Sequence, residues 1–293
     1  MDLTLTKQAD QMVFQLDCRM NAQVSLQRAL YSYLTHPSTR AKFPDDWRQA
    51  LIAPIHKAGN KNKTVAENYR PVSLTSVTCK VLEHIIHSHI ISHLDRHNVL
   101  HDNQHGFRRK RSCKTQLLKT VHGLAKTLND KGQTNSILLD FSKAFDKVCH
   151  KKLLLKLKHY GVDSNVYSWV IDFLHNRTQR VVVREEESQE AKVTSGVPQG
   201  RVMGTLLFLV YINDMPNSVS SNISLFTDDT LLYRNITHFE EARNLQNDLD
   251  SLVQWEQQWF WNFIPKSVRY CASPIRGKSQ IIIIIIKFTT AYS

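Results

Sequence analysis

The 293-residue chain predicts an α+β fold, a sheet with helices on one face, from three observations. Short apolar segments, Ile137-Leu138-Leu139 leading to Asp140 and Leu225 to Leu232 about Asp228-Asp229, read as strands. Longer segments between them carry apolar residues at helical spacing. A composition of 42% hydrophobic and 22% charged residues is that of an ordinary globular protein with a substantial core.

Along the chain, residues 1–42 show weak apolar spacing (Leu16, Met20, Val24, Leu30, Leu34) and predict one or two short helices. Pro44-Asp45-Asp46-Trp47 predicts a turn into a strand, Ala50 to Ile55, which Pro54 assigns to a sheet edge because proline lacks the ladder donor. A loop rich in Gly, Asn and Lys follows at 58–64. Residues 77–97 predict a helix with Val81, Leu82, Ile85, Ile86, Ile90 and Leu94 on its apolar face. His84, His87, His89, His93 and His97 decorate it. The spacing of His89 and His93 suits a metal, but no Cys or Glu cluster completes a site, so they read as ordinary helix-face histidines.

After the strand ending at Asp140, residues 152–160 predict a helix with Leu153, Leu154, Leu157 and Tyr160 inward and Gly161 as its stop. A second helix starts at Ser164 and turns Val166, Val170, Phe173 and Leu174 inward. Arg180 to Arg184 and Ala191 to Thr194 predict two strands joined by an acidic turn, Glu185-Glu186-Glu187. Thr237 and Glu240 have capping-box spacing ahead of an amphipathic helix carrying Leu245, Leu249, Leu252 and Trp255.

Thirty-eight Lys and Arg against 26 Asp and Glu give a formal charge of +12, which favours a polyanionic partner and points to nucleic acid. The five cysteines are scattered without a C-x-x-C pair, which argues against a disulfide framework or zinc knuckle and for reduced thiols in an intracellular protein, cytoplasmic or nuclear. The amino terminus lacks a basic start and apolar core, so no secretion signal is expected. Six isoleucines at 281–286 are the longest apolar run and fall far short of the ~20 residues that span a bilayer.

Two apolar strands deliver carboxylates: Ile137-Leu138-Leu139-Asp140 and Leu225-Phe226-Thr227-Asp228-Asp229. Like charges gathered in a partly dry site repel unless a cation lies between them. Two magnesium ions would meet that need, and two-metal sites activate an attacking oxygen while neutralising a leaving phosphate. The bland alternative is that Asp228 and Asp229 merely make a hairpin turn, and the two readings are compatible.

Six segments in one order then define a resemblance. They are Asn68-Tyr69-Arg70-Pro71-Val72-Ser73-Leu74, Gln104-His105-Gly106-Phe107-Arg108 with Ser112, and the Leu139 to Val148 segment. Ser195-Gly196-Val197-Pro198-Gln199-Gly200, Tyr211-Ile212-Asn213-Asp214 and Phe226-Thr227-Asp228-Asp229 follow. In content and order the chain resembles the reverse transcriptase domain of non-LTR (LINE-type) retrotransposons, over roughly residues 43–262.

The resemblance implies a right-hand polymerase with fingers and a ferredoxin-like palm, copying an RNA template into DNA from a DNA primer 3′-hydroxyl with deoxynucleoside triphosphates. It implies Asp140, Asp228 and Asp229 as the catalytic carboxylates and ligands of Mg2+. Phe145 matches the ring beneath the incoming sugar, where bulk excludes a 2′-hydroxyl; on residue type alone it reads as core. Arg70 matches the arginine that reaches the triphosphate, with Lys57 or Lys63 as assistants. Gln199 and Gly200 match the turn beside the nascent base pair. Arg108, Arg109, Lys110 and Arg111, with Lys114, form the densest basic run, which reads as a template-backbone contact, a nuclear localisation signal or a solvated turn.

Thr227, Arg201 and Thr205 depart from the small or apolar residues of the family pattern. Beyond Trp259, Trp261 to Ser267 approximates the family poorly, and residues 263–293 are too few for a thumb. The expectation is therefore a domain truncated at both ends, without an endonuclease-like segment before residue 43 and with an out-of-frame tail from about residue 260. Translating the coding DNA in all three forward frames tests the last point. A second reading follows, a catalytically inactive remnant that binds nucleic acid through its charge.

Overall fold

Hydrogen-bonded strand ladders and helices form the framework of the described residues between 47 and 259. The computed structural model describes residues 25, 43, 47–57, 59, 62–74, 77–141, 143–259 and 280–287. Among these lie nine strands and six α-helices, a mixed α/β architecture with two mixed sheets. The helices expected before residue 42, the turn at 44–46 and the Trp261 to Ser267 segment lie outside the described residues. No helix among those described is long and apolar enough to cross a membrane.

The chain forms two interleaved units, one from residues up to Ile90 together with Val162–Lys192, the other from Ile91–Gly161 and Val193 onward. In the first, β1 (Gln49–His56) pairs antiparallel with β2 (Tyr69–Leu74) and parallel with β4 (Thr178–Val183). β1 is therefore central, a correction to the edge position predicted from Pro54. The β4 pairing ends at Ile52, so proline's missing N–H falls where β2 alone flanks the strand. The predicted acidic turn is also corrected: β5 (Glu186–Glu187) folds back onto Val182 and Val183, with β6 (Ala191–Lys192) pairing the start of β4.

Helix α1 (Val77–Arg96) begins in this unit and buries Leu82, Ile86, Ile90 and Leu94 at four-residue intervals, as its periodicity predicts. In the histidine row His93 Nε2 lies 2.8 Å from the Tyr160 carbonyl oxygen and His89 is exposed. In α4 (Ser164–Leu174) the Asp163 carboxylate caps the amino end, and Trp169 and Phe173 pack edge-on against Phe43. Arg48 donates to the Asp172 carboxylate at 2.7 Å and to the Asp172 and His175 carbonyls, which fastens the carboxyl end of α4.

The second unit is organised on a four-stranded sheet in the order β7-β8-β3-β9. These are β3 (Gln133–Asp140), β7 (Asn222–Phe226), β8 (Asp229–Ile236) and β9 (Gln280–Lys287), the last being the isoleucine run laid parallel along β3. Helices cover both faces of this sheet, a correction to the single face predicted. Alternate side chains of β8 reach different helices. Tyr233 lies against Gly123, and Asn235 accepts at 2.8 Å from Thr127, both on α2 (Cys113–Asn129). Arg234, between them, pairs with Glu241 of α6 (Phe239–Trp259) and lies 3.8 Å from Asp248. The unit is completed by α3 (His150–His159), which ends at Tyr160 before Gly161, and by α5 (Val202–Ile212), buried along nearly its whole length.

Candidate active site

Register places the carboxylates. Leu139 pairs with Thr230, so the backbones of Asp140 and Asp229 follow at adjoining ends of β3 and β8. Phe226 pairs with Asp229, which leaves Thr227 and Asp228 as the two loop residues of a hairpin. Asp228 is half-buried and Asp229 exposed. The sequence-predicted strand ends and hairpin are thus brought together in the backbone; the Asp140 side chain lies outside the described residues. Among those described, no three His, Cys, Asp or Glu side chains are gathered as a metal cluster.

Thr227 is the tight point of this hairpin. Its φ of 60° lies in the left-handed region, which a β-branched residue occupies at a cost of about 1–3 kcal/mol. A two-residue hairpin loop needs positive φ at its first position to match the twist of its strands. Thr227 is buried, and its main chain is held by Gln104: the Thr227 N–H donates to Gln104 Oε1 at 3.0 Å and Gln104 Nε2 donates to the Thr227 carbonyl at 3.3 Å. The segment around Gln104 also lines the free edge of β7, since His105 N–H donates to the Leu225 carbonyl and Leu225 N–H to the Asn103 carbonyl.

Phe145 is half-buried and stacks on Phe208 of α5, with ring centroids 4.4 Å apart and planes 15° from parallel. Its carbonyl accepts from Val197 N–H, and Ser195 Oγ donates to the Asp146 carbonyl. The 195–200 turn is thereby laced to the 145–150 segment. It reaches α5 at Gly204, where an added Cβ would stand 2.0 Å from the Pro198 carbonyl oxygen. Gln199 is half-buried and Gly200 exposed at φ +82°, while Arg201, directly before α5, is buried.

The basic run divides. Arg108 donates to the Leu100 and His101 carbonyls and lies 3.9 Å from Asp95; Arg111 pairs with Asp102 at 2.5 Å. Arg109 and Lys110 are exposed. Close by, His105 shares a 3.0 Å hydrogen bond with Thr115, and burial, together with Arg111, Lys119 and Arg108, lowers its pKa. In the first unit Arg70 is exposed on β2, between Tyr69, which donates to the Lys63 carbonyl, and Pro71. Lys63 is exposed and Lys57 half-buried.

The Tyr211 to Asp214 motif proves to be architectural, and with it comes a residue that no sequence pattern singled out, Lys156. Its ammonium donates to the Tyr211 carbonyl and to Asp214, and sits 3.6 Å from the Trp259 ring centroid and 5.1 Å from that of Trp255. Burial lowers its pKa to about 8 against the upward pull of Asp214. Asn213 accepts from His101 N–H and donates to the Val99 carbonyl, which ties the 99–101 loop to the end of α5. Lys156 in a helix of lysines looks like one more solvated charge until its neighbours from α6 are seen.

Residues 55–275 match the family described as Reverse transcriptase (RNA-dependent DNA polymerase). The chain is 31% identical over 239 residues to a probable RNA-directed DNA polymerase from transposon BS of Drosophila melanogaster, covering 78% of this chain and 26% of that protein. It is 32% identical over 223 residues to the probable polymerase from transposon X-element of the same fly, covering 74% and 24%. It is also 32% identical over 226 residues to the RNA-directed DNA polymerase from mobile element jockey, again covering 74% and 24%. The chain thus spans about a quarter of the length of these relatives. A match over most of the chain, an ordered set of motifs and a carboxylate-bearing hairpin beside the end of β3 make this chain a member of the reverse transcriptase family of non-LTR retrotransposons.

Proposed function

We propose that the chain is the fingers and palm of an RNA-directed DNA polymerase that adds deoxynucleotides to a primer 3′-hydroxyl. The observation that carries this is the register that sets Asp140 at a strand end beside the Asp228-Asp229 hairpin, in a chain of this family. On this reading the first unit corresponds to fingers and the second to palm. Asp140, Asp228 and Asp229 hold the metal, for carboxylate oxygens are the hard donors that magnesium takes. Bound there, magnesium would supply charge neutralisation at the phosphate and an acidified attacking hydroxyl.

The protein's own groups do the rest. Arg70 offers a guanidinium fork to the triphosphate. Phe145, braced by its stack on Phe208, excludes a 2′-hydroxyl from the sugar position. Gln199 and Gly200 bound the base pair being formed. Arg109 and Lys110 meet the phosphates of the template, with Arg108 and Arg111 fixing the loop that presents them.

Primer extension on a poly-A template, with dTTP and magnesium, tests the reading. The full chain extends the primer and Asp228→Ala abolishes extension. Binding of the primer-template without extension by the wild type would overturn it in favour of a binding remnant. In the same assay Phe145→Ala raises use of UTP relative to dTTP by roughly ten- to a hundredfold; an unchanged ratio returns Phe145 to a purely core role.

A further inference from the structure

We infer that Gln104 is a positioning residue for the polymerase hairpin, a clamp that holds Thr227 in its left-handed conformation and so fixes the main chain of Asp228. In a two-residue hairpin loop the strand ladder stops at the flanking pair, here Phe226 and Asp229, so the N–H and C=O of Thr227 find no partner within it. A primary amide is the one side-chain group that can donate and accept in the spacing of a peptide, and Gln104 does both to the same residue. Its Oε1 also accepts from Gly106 N–H at 2.8 Å, which locks the amide's orientation. Gln104 is itself only 4% exposed, so water does not compete for these bonds.

The approach is close enough to constrain sequence. A Cβ on Gly106 would stand 2.5 Å from the Thr227 nitrogen and 2.6 Å from Thr227 Oγ1, so glycine is required for the loop to reach the hairpin. Main-chain bonds on either side, from His105 to Leu225 and from Leu225 to Asn103, make the 103–106 segment an added edge to β7. The loop that carries Arg109 and Lys110 and the hairpin that carries Asp228 are therefore one mechanical piece. Displacement of a reacting carboxylate by about 1 Å can cost a hundredfold in rate.

The catalytic half of this inference rests on the polymerase reading; the mechanical half does not, and the experiment separates them. In the full chain, Gln104→Met keeps the side chain's length and removes both polar atoms. It lowers kcat for primer extension by roughly tenfold or more, with primer-template Kd and KM for dTTP held within about threefold. Glycine adopts positive φ freely, so adding Thr227→Gly restores kcat to near that of Thr227→Gly alone, a rescue that a general loss of stability would not give. A kcat unchanged in Gln104→Met, or a loss that Thr227→Gly leaves in place, overturns the inference.

Hydrogen exchange provides the readout that needs neither activity nor a variant. In the wild type the Thr227 amide exchanges as slowly as that of Leu225 in β7. Exchange of Thr227 at the rate of an open loop overturns the clamp. Absence of extension by the wild type counts against the polymerase reading alone, and the clamp then stands or falls on this exchange.

Discussion

Lys156, which no sequence pattern singles out, joins α3 to the ends of α5 and α6. Its ammonium is enclosed by Tyr211, Trp255 and Trp259 and anchored by Asp214, and burial holds its folded pKa near 8 against an ordinary 10.5. Between those two values the unfolded chain binds the proton more tightly than the folded one. Proton linkage then makes stability rise with pH from about 8 to about 10, by at most about 1.4 kcal/mol per unit. Urea unfolding at intervals across that range checks this, and Lys156→Met should flatten the rise. The burial of Tyr211 raises its phenol pKa, so its own contribution sets in as pH passes the ordinary phenol value near 10.0, where the unfolded chain ionises first, and acts in the opposite sense. Residue type alone reads Phe145 as core and the family resemblance sets it beneath the sugar; in the structure the half-buried ring stacks on Phe208.

Among the elements, those built on strong periodicity were legible in advance. The stripe Leu82, Ile86, Ile90, Leu94 gave α1 its limits, and Ser164 opened α4 where Asp163 caps it. The first half of β3 was not legible, because Gln133, Thr134, Asn135 and Ser136 are all buried yet carry no apolar signal. Cross-strand and local polar contacts compensate for part of this burial: Thr134 Oγ1 donates to Asn235 Oδ1 at 2.9 Å and Gln133 Nε2 donates to Asn135 Oδ1 at 2.9 Å, while Asn135 Nδ2 and Ser136 Oγ are buried without a hydrogen bond among the described residues. Such partners are set by tertiary pairing and leave no local trace. The same limit hid the both-face covering of the sheet, for strand alternation tells which residues are buried but not which helix buries them. Helix α5 offers a sharp test. Alanine is normally favoured over glycine inside a helix by about 1 kcal/mol, yet Gly204→Ala should destabilise by about 1–3 kcal/mol, because its Cβ would collide with the Pro198 carbonyl. Thermal melting reads the loss, and a variant as stable as wild type would show that the 195–200 turn yields freely.

On the scale of the whole molecule, charge is the property most directly carried from composition to behaviour. A formal +12 predicts binding to single-stranded RNA that weakens steeply with salt. Because Arg109 and Lys110 are exposed while Arg108 and Arg111 serve the loop, the double substitution Arg109→Ala, Lys110→Ala should reduce the slope of log K against log salt by about 1.4. Filter binding across a salt series measures it, and an unchanged slope would remove these two residues from the interface. The candidate carboxylates were legible because each ends an apolar strand; Gln104 was visible as part of a motif, but its task was not, since it depends on a φ angle and a loop approach that the one-dimensional pattern does not encode.

The interleaving of the two units carries a consequence for the order of synthesis. Thr178 must pair with Gln49 to make the parallel ladder of the first unit, and the ribosome delivers β3 and α3 of the second unit before it delivers that strand. The first unit therefore waits, with β1 open on one side, while part of the second emerges. Chain closure over such a separation is slow relative to local folding and exposes an unpaired strand edge in the interval. No continuous fragment shorter than the span from β1 to β4 contains the first unit's sheet, so a nascent chain released before residue 178 would carry β1 without its parallel neighbour.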